Sequence, residues 1–202
     1  MSVHILFPTL VFEETLEDLK KHNQALIDKA YKIKEQAPET DPDWRCDTYS
    51  TLPHYNLEQD NDSVVHRLIN LFGNKVMAFS RNWGMDPKKI ICNDFWINIA
   101  APGDYQEYHK HARSHFSLAY YLQTDKGCGN IVFKNPSDHF DMFPLPVSAR
   151  GSLTDASFGT FAFEPEENKL LIFRSTLSHM VEKNKSNRDR ISVTMNFSFE
   201  DN

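Results

Sequence analysis

Cysteine is scarce: the 202-residue sequence has only Cys46, Cys92 and Cys128, widely separated and in no CxxC pair. An odd, scattered set excludes a disulfide framework and argues against a thiolate zinc site, so a reducing compartment is expected. No stretch approaches the ~18 apolar residues of a membrane span. The opening MSVHILFPTLVFEETLED is too short in its apolar run, and too acidic afterwards, for a secretory signal. A cytoplasmic setting is therefore the expectation. A basic stripe is also missing. The net charge is −6, and KNKSNRDR (183–190) is too short to track phosphates, so nucleic acid is not an expected partner. Internal repeats and low-complexity segments are absent. What is present is a globular balance, 40% hydrophobic and 25% charged, in a length suited to one domain over 1–202.

The first 88 residues read as mainly helical. In 15–36, Leu16, Leu19, Leu26, Ile27, Ala30 and Ile33 recur at helical spacing, and Thr15 with Asp18 has the form of a capping box. In 62–83, Val65, Leu68, Ile69, Phe72, Val76, Phe79 and Trp83 form a stripe wide enough to pack on a sheet, with Gly73 as a local weakness. Residues 44–57 read as loop or short strand. From 89 the period changes to two. KIICNDFWINIA (89–100) sets Phe95, Ile97 and Ile99 against Asp94, Trp96 and Asn98. Further strands are predicted at 115–123, 130–136, 169–176 and 190–199. The last alternates without a break, with Arg190, Ser192, Thr194 and Asn196 on its polar side. Short strands separated by Gly, Pro and Asn point to a sandwich or small barrel over 89–202. The proline-bearing segment 136–165 reads as a long loop or an irregular hairpin, an insertion of the kind that borders a binding site.

The densest chemistry lies in YHKHARSHFSLAYYL (108–122), with three of nine histidines at His109, His111 and His115. On an extended strand His109 and His111 face one side. His179, after a distant apolar strand, is the candidate third ligand. Three ligands on one face leave positions open, as in non-haem iron oxygenases or three-histidine zinc sites. Arg190, on the polar side of its strand, would need an anion if it faces inward, and its planar fork suits a carboxylate.

Four segments carry a family resemblance: WINIAAPGDYQEYHKHARSHFSLAYYL (96–122), GNIVFKNP (129–136), LLIFRSTLSHMV (170–181) and RISVTMNF (190–197). Together they resemble the Fe(II)/2-oxoglutarate-dependent dioxygenases, specifically the prolyl-hydroxylase-like group of small bacterial and phage oxygenases. The resemblance implies a double-stranded β-helix, a jelly roll with helices on its outer face. It implies Fe(II) held by His109, His111 and His179, with His111 where most of the superfamily has Asp or Glu. It also implies 2-oxoglutarate as cosubstrate with O2. Arg190 and Tyr121 would hold the far carboxylate, Ser192 would assist, and Asn196 and Asn98 are further candidate contacts. His115 would be an outer or substrate-facing residue. The implied activity is C–H hydroxylation, of peptidyl proline or a small molecule, with succinate and CO2 as coproducts. Two alternatives remain: a cupin-like three-histidine metalloenzyme that does not use 2-oxoglutarate, such as a thiol dioxygenase or zinc hydrolase, and a noncatalytic β-sandwich binding module. Oligomeric state is not encoded in any readable pattern.

Overall fold

The structure is a computed structural model that describes residues 2, 4, 6–40, 47–137 and 158–200. Its elements run β1 (Val11–Thr15), α1 (Lys20–Gln36), β2 (Tyr49–Ser50), α2 (Ser63–Ser80), β3 (Lys89–Ala100), β4 (Gln106–His109), β5 (Phe116–Gln123), β6 (Ile131–Lys134), β7 (Thr160–Phe163), β8 (Lys169–Arg174), β9 (His179–Val181) and β10 (Arg190–Glu200). Six strands form one antiparallel sheet in the order β1-β8-β5-β10-β3-β2. Four form a second in the order β4-β9-β6-β7. This pair of sheets is the double-stranded β-helix the resemblance implied.

Alternation decides which face of the large sheet is which. Phe95, Ile97 and Ile99 of β3, Leu118, Tyr120 and Leu122 of β5, Leu170 and Ile172 of β8, and Ile191, Val193, Met195 and Phe197 of β10 point outward. There they join one apolar cluster with both helices. α1 contributes Leu26, Ile27 and Ala30, and α2 contributes Val65, Leu68, Phe72, Val76 and Phe79. Gly73 lies where α2 comes close to the sheet, and a Cβ there would only touch Ile90 and Phe197 at 3.6 Å. Asn23 of α1 is buried and donates to the Leu122 carbonyl and the Asn168 side chain. The helix is thereby fixed to the sheet by bonds whose loss would leave buried polar groups unpaired.

Two local expectations are corrected. Thr15 does not cap the first helix. It ends β1, paired with Lys169, and a short 3₁₀ turn (Glu17–Leu19) separates it from α1. The backbone is held in the ladder before the helix starts, so no Thr15–Asp18 box can form. The stretch 11–15 is an edge strand, and with β2 it extends the large sheet from within the first 88 residues. α2 does have a side-chain cap, since Asp62 accepts from the Val64 N–H. It ends at Ser80, and Arg81–Trp83 is 3₁₀. Most of the 136–165 loop lies outside the described residues, but Thr160–Phe163 within it is β7 and pairs with β6. No helix among the described residues is long and apolar enough to cross a membrane.

Phe72 is fully buried and packs against the Tyr120 ring at 5.4 Å, joining helix to sheet. Phe72→Ala is expected to reduce unfolding free energy by about 3–5 kcal/mol in urea titrations. A loss under ~1 kcal/mol would mean that the helix–sheet seam is not close-packed.

Candidate metal centre

The antiparallel pairing of β4 with β9 sets His109 directly opposite His179. Their ring centroids are 4.3 Å apart. His111 lies beyond the end of β4, so the two-residue strand spacing does not position it. Instead its backbone N–H bonds to the Ser175 carbonyl at 2.9 Å. Its ring lies 5.3 Å from that of His109 and 5.2 Å from that of His179. One ring nitrogen from each of the three falls within 4.8 Å of the others. No carboxylate joins this group among the described residues.

Each ring has a bond at Nδ1. His109 bonds the Glu107 carbonyl at 2.7 Å, His179 the Leu177 carbonyl at 2.9 Å, and His111 the Asn196 Oδ1 at 2.6 Å. Each of these acceptors fixes the proton on Nδ1 and leaves the lone pair on Nε2, the preparation a metal-ligating histidine needs. Burial works in the same direction. It lowers His109 to about 4, with a small further push from His111, and lowers His179 to about 3, where His109 adds to the effect. His111 is also lowered by burial, against the opposing pull of its Asn196 bond and the Asp94 charge. All three rings are therefore neutral near pH 7 and ready to donate.

The rings open on a cavity of about 170 Å³ between the sheets. Trp96, Tyr121, Phe173, Ile131 and Val181 supply apolar wall, and Arg190, Ser192, Thr194 and Asn98 supply a polar side. Among the described residues, no Asp or Glu lines it. Arg190 is 4% exposed. Its Nη1 donates to the carbonyls of Cys128 (2.7 Å) and Gly129 (3.1 Å), and no carboxylate among the described residues forms a salt bridge with it. Burial lowers its pKa, opposed first by the nearby Tyr121. Burial also pushes Tyr121 up to about 12, so it stays a neutral hydroxyl. Gly129 has φ +93°, and a Cβ there would overlap the Glu182 carbonyl and crowd the guanidinium at 3.0 Å. Only glycine lets the chain pass under Arg190.

The profile of the 2OG-Fe(II) oxygenase family matches residues 94–196, just over half the chain and the part that contains this centre. The protein belongs to this family. Among solved structures, its fold is similar to a Pseudomonas putida prolyl-4-hydroxylase, with TM-score 0.65, 13% identity, and 96% of this chain and 94% of that chain covered. It is also similar to the collagen prolyl hydroxylase of Paramecium bursaria Chlorella virus-1, in its 2OG complex (0.59, 14%, 93% and 94%). A third is HygX of Streptomyces hygroscopicus, with nickel and 2-oxoglutarate bound (0.59, 12%, 94% and 83%). No match was found among curated protein sequences.

Members of the 2OG-Fe(II) oxygenases use Fe(II), 2-oxoglutarate and O2. The donor set here fits that demand: three neutral imidazoles for the cation, and a buried guanidinium across the cavity for a diacid. Of the residues singled out in the oxygenase sequence, His109, His111, His179, Arg190, Tyr121, Ser192 and Asn98 all face this one cavity. Asn196 does not line it. Its side chain instead bonds Asp94, His111 and Ser117. His115 also lies away from it, stacked on Phe199 and accepting from the Phe199 N–H. It sits where β5 begins, on the outer layer, so the substrate-facing expectation is corrected. Sequence reading missed the polar Thr48 and Ser50 at the cavity and the carbonyls of Cys128 and Gly129. The first two come from an irregular segment, and the carbonyls carry no side-chain signal.

Unfolded imidazoles titrate near 6.5. Between that value and the lower folded ones, the unfolded chain binds more protons, so stability rises with pH across the window. The metal-free oxygenase is expected to lose urea midpoint steadily as pH falls from about 6.5 toward 4, and His179→Gln should flatten the dependence. A midpoint constant from pH 7 to 5 would contradict a buried neutral trio.

Proposed function

We propose that His109, His111 and His179 hold Fe(II), that Arg190 with Tyr121 and Ser192 receives the far carboxylate of 2-oxoglutarate, and that the enzyme hydroxylates an unactivated C–H bond of peptidyl proline. One observation carries the reading: a buried arginine with no carboxylate partner among the described residues shares a cavity with three pre-oriented imidazoles, and none of the described residues lining it is acidic. An unpaired buried cation is costly, and a bound diacid removes that cost.

When bound, the iron supplies open coordination positions for the keto acid and dioxygen, and with them the oxidising power. The chain's own residues supply placement. The Cys128 and Gly129 carbonyls hold one guanidinium nitrogen, so the fork of Arg190 is oriented before any ligand arrives. Its reach fixes which end of the diacid turns toward the histidines. Trp96, Phe173, Ile131 and Val181 keep water from the reacting centre. The histidines, already neutral, give up no proton on binding a cation at neutral pH.

The peptidyl-proline half of the reading is supported by two of the similar folds, which are prolyl hydroxylases.

Anaerobic addition of Fe(II) and 2-oxoglutarate is expected to give a visible charge-transfer band that needs both components. Arg190→Gln should raise the 2-oxoglutarate dissociation constant by about 30-fold or more, since removing one partner of a buried charge pair costs ~2 kcal/mol at least. A band indifferent to 2-oxoglutarate would replace this reading with a cupin-like three-histidine enzyme. Under O2, proline-containing peptides should gain one oxygen by mass spectrometry, in step with succinate. Succinate formation stimulated only by small molecules would remove the peptide substrate and leave the cosubstrate assignment intact.

A further inference from the structure

Two of the three histidines are oriented by backbone carbonyls two residues upstream. The third is not. His111 Nδ1 meets Asn196 Oδ1 at 2.6 Å, and Asn196 Nδ2 in turn donates to Asp94 Oδ2 at 2.8 Å. The direction of this chain is fixed by chemistry. A carboxylate offers acceptors only, so the amide must present its NH₂ to Asp94 and its oxygen to the imidazole N–H. Ser117 Oγ also donates to Asn196 Oδ1 at 2.7 Å, and it bonds Ser175 Oγ at 2.8 Å. Strand register builds the cluster: Asn196 lies opposite Asp94 on β3 and opposite Ser117 on β5. The β10–β3 register shifts immediately afterwards, between Asn196 and Phe197. Irregularities of this kind aim side chains beside active sites.

From this arrangement we infer that Asp94 and Asn196 are positioning residues for the metal centre. Asp94 acts on the cation through Asn196 and His111 and supplies, two hydrogen bonds removed, the negative charge that a carboxylate ligand would have supplied directly. The inference rests on the reading of the histidine trio as a metal site. Asn196 holds His111 in the Nδ1–H tautomer. The carboxylate behind it polarises the amide, so the imidazole donates more strongly from Nε2. Ser117 Oγ also lies 3.1 Å from His111 Nδ1, and Trp96, 5.6 Å from the ring, closes another side.

The test uses Co(II) as the probe, with its dissociation constant measured by chelator competition and its visible d–d absorption recorded, on the full chain without cosubstrate. Asn196→Ala is expected to weaken Co(II) about 10- to 100-fold, the usual effect of losing such a partner. Asp94→Asn keeps a hydrogen-bonding side chain but removes the charge, and should weaken Co(II) by a smaller factor, about 3- to 10-fold. The exchange Asp94→Asn/Asn196→Asp returns a carboxylate to the network, now directly on His111 Nδ1, and should bind within about threefold of the parent. Thermal midpoints of the metal-free proteins separate positioning from folding, because a purely structural role would lower them without a matching rescue of Co(II) affinity in the exchange variant. If Asn196→Ala proves insoluble, the Asp94→Asn single and the exchange decide the question alone. Single variants that bind Co(II) within twofold of the parent, or an exchange no better than Asp94→Asn, overturn the inference. Absence of Co(II) binding by the parent protein would instead remove the metal-site reading on which it stands.

Discussion

The centre depends on one strand register. In the β4–β9 pairing, His109 and His179 face each other as a cross-strand pair. A slip by a single residue would turn one imidazole to the far side of the sheet. That register is held from several sides. Gln106 pairs with Val181, and β9 is also laddered to β6 through Ile131–Val181 and Phe133–His179. The rings of Phe133 and Phe173 pack on His179 at 5.7 and 4.8 Å. A short, three-residue strand is thus placed by neighbours on both edges and by an aromatic floor, which is what a ligand-bearing strand needs to be accurate.

β10 performs the complementary division of labour. Its Ile191, Val193, Met195 and Phe197 bury themselves under the helices, and this burial is the driving force that places the strand in the sheet centre. The opposite parity then has no choice but to point between the sheets. Arg190, Ser192, Thr194 and Asn196 are carried inward by their neighbours' hydrophobicity. The helices never touch the cavity, yet they determine which side of β10 faces it. Their contribution to function is the sign of the alternation.

Much of this was legible because alternation is a strong signal. The parities of 89–100 and 190–199 place Trp96, Asn98, Arg190 and Ser192 on the cavity side, and His179 stood out as a partner for His109 because it follows the apolar run 169–176. What was not legible depended on partners outside the local pattern. Asp94 and Asn196 share the polar parity of their strands, but only the register that sets them opposite shows that they serve His111 instead of the cosubstrate. His115 shares the odd-numbered strand parity of His109 and His111. The turn at Arg113, with φ +61°, rotates it out of their plane and onto Phe199. Thr15 had the composition of a cap and became the end of an edge strand, because pairing with β8 outweighs a local hydrogen bond.

The charge balance between the sheets ties the missing ligand to the network behind it. A divalent cation and a dianionic cosubstrate cancel. Arg190 then leaves one positive charge in a space of low polarity that no acidic side chain among the described residues lines. In a centre with two histidines and one carboxylate, that ligand would close the sum. On the proposed reading His111 takes that place, and the carboxylate stands two hydrogen bonds away at Asp94. Field falls with distance, so a carboxylate at that remove neutralises the interior without occupying a coordination position. The substitution of histidine for an acid at position 111 and the presence of an acid at position 94 are, on this argument, two halves of one electrostatic arrangement.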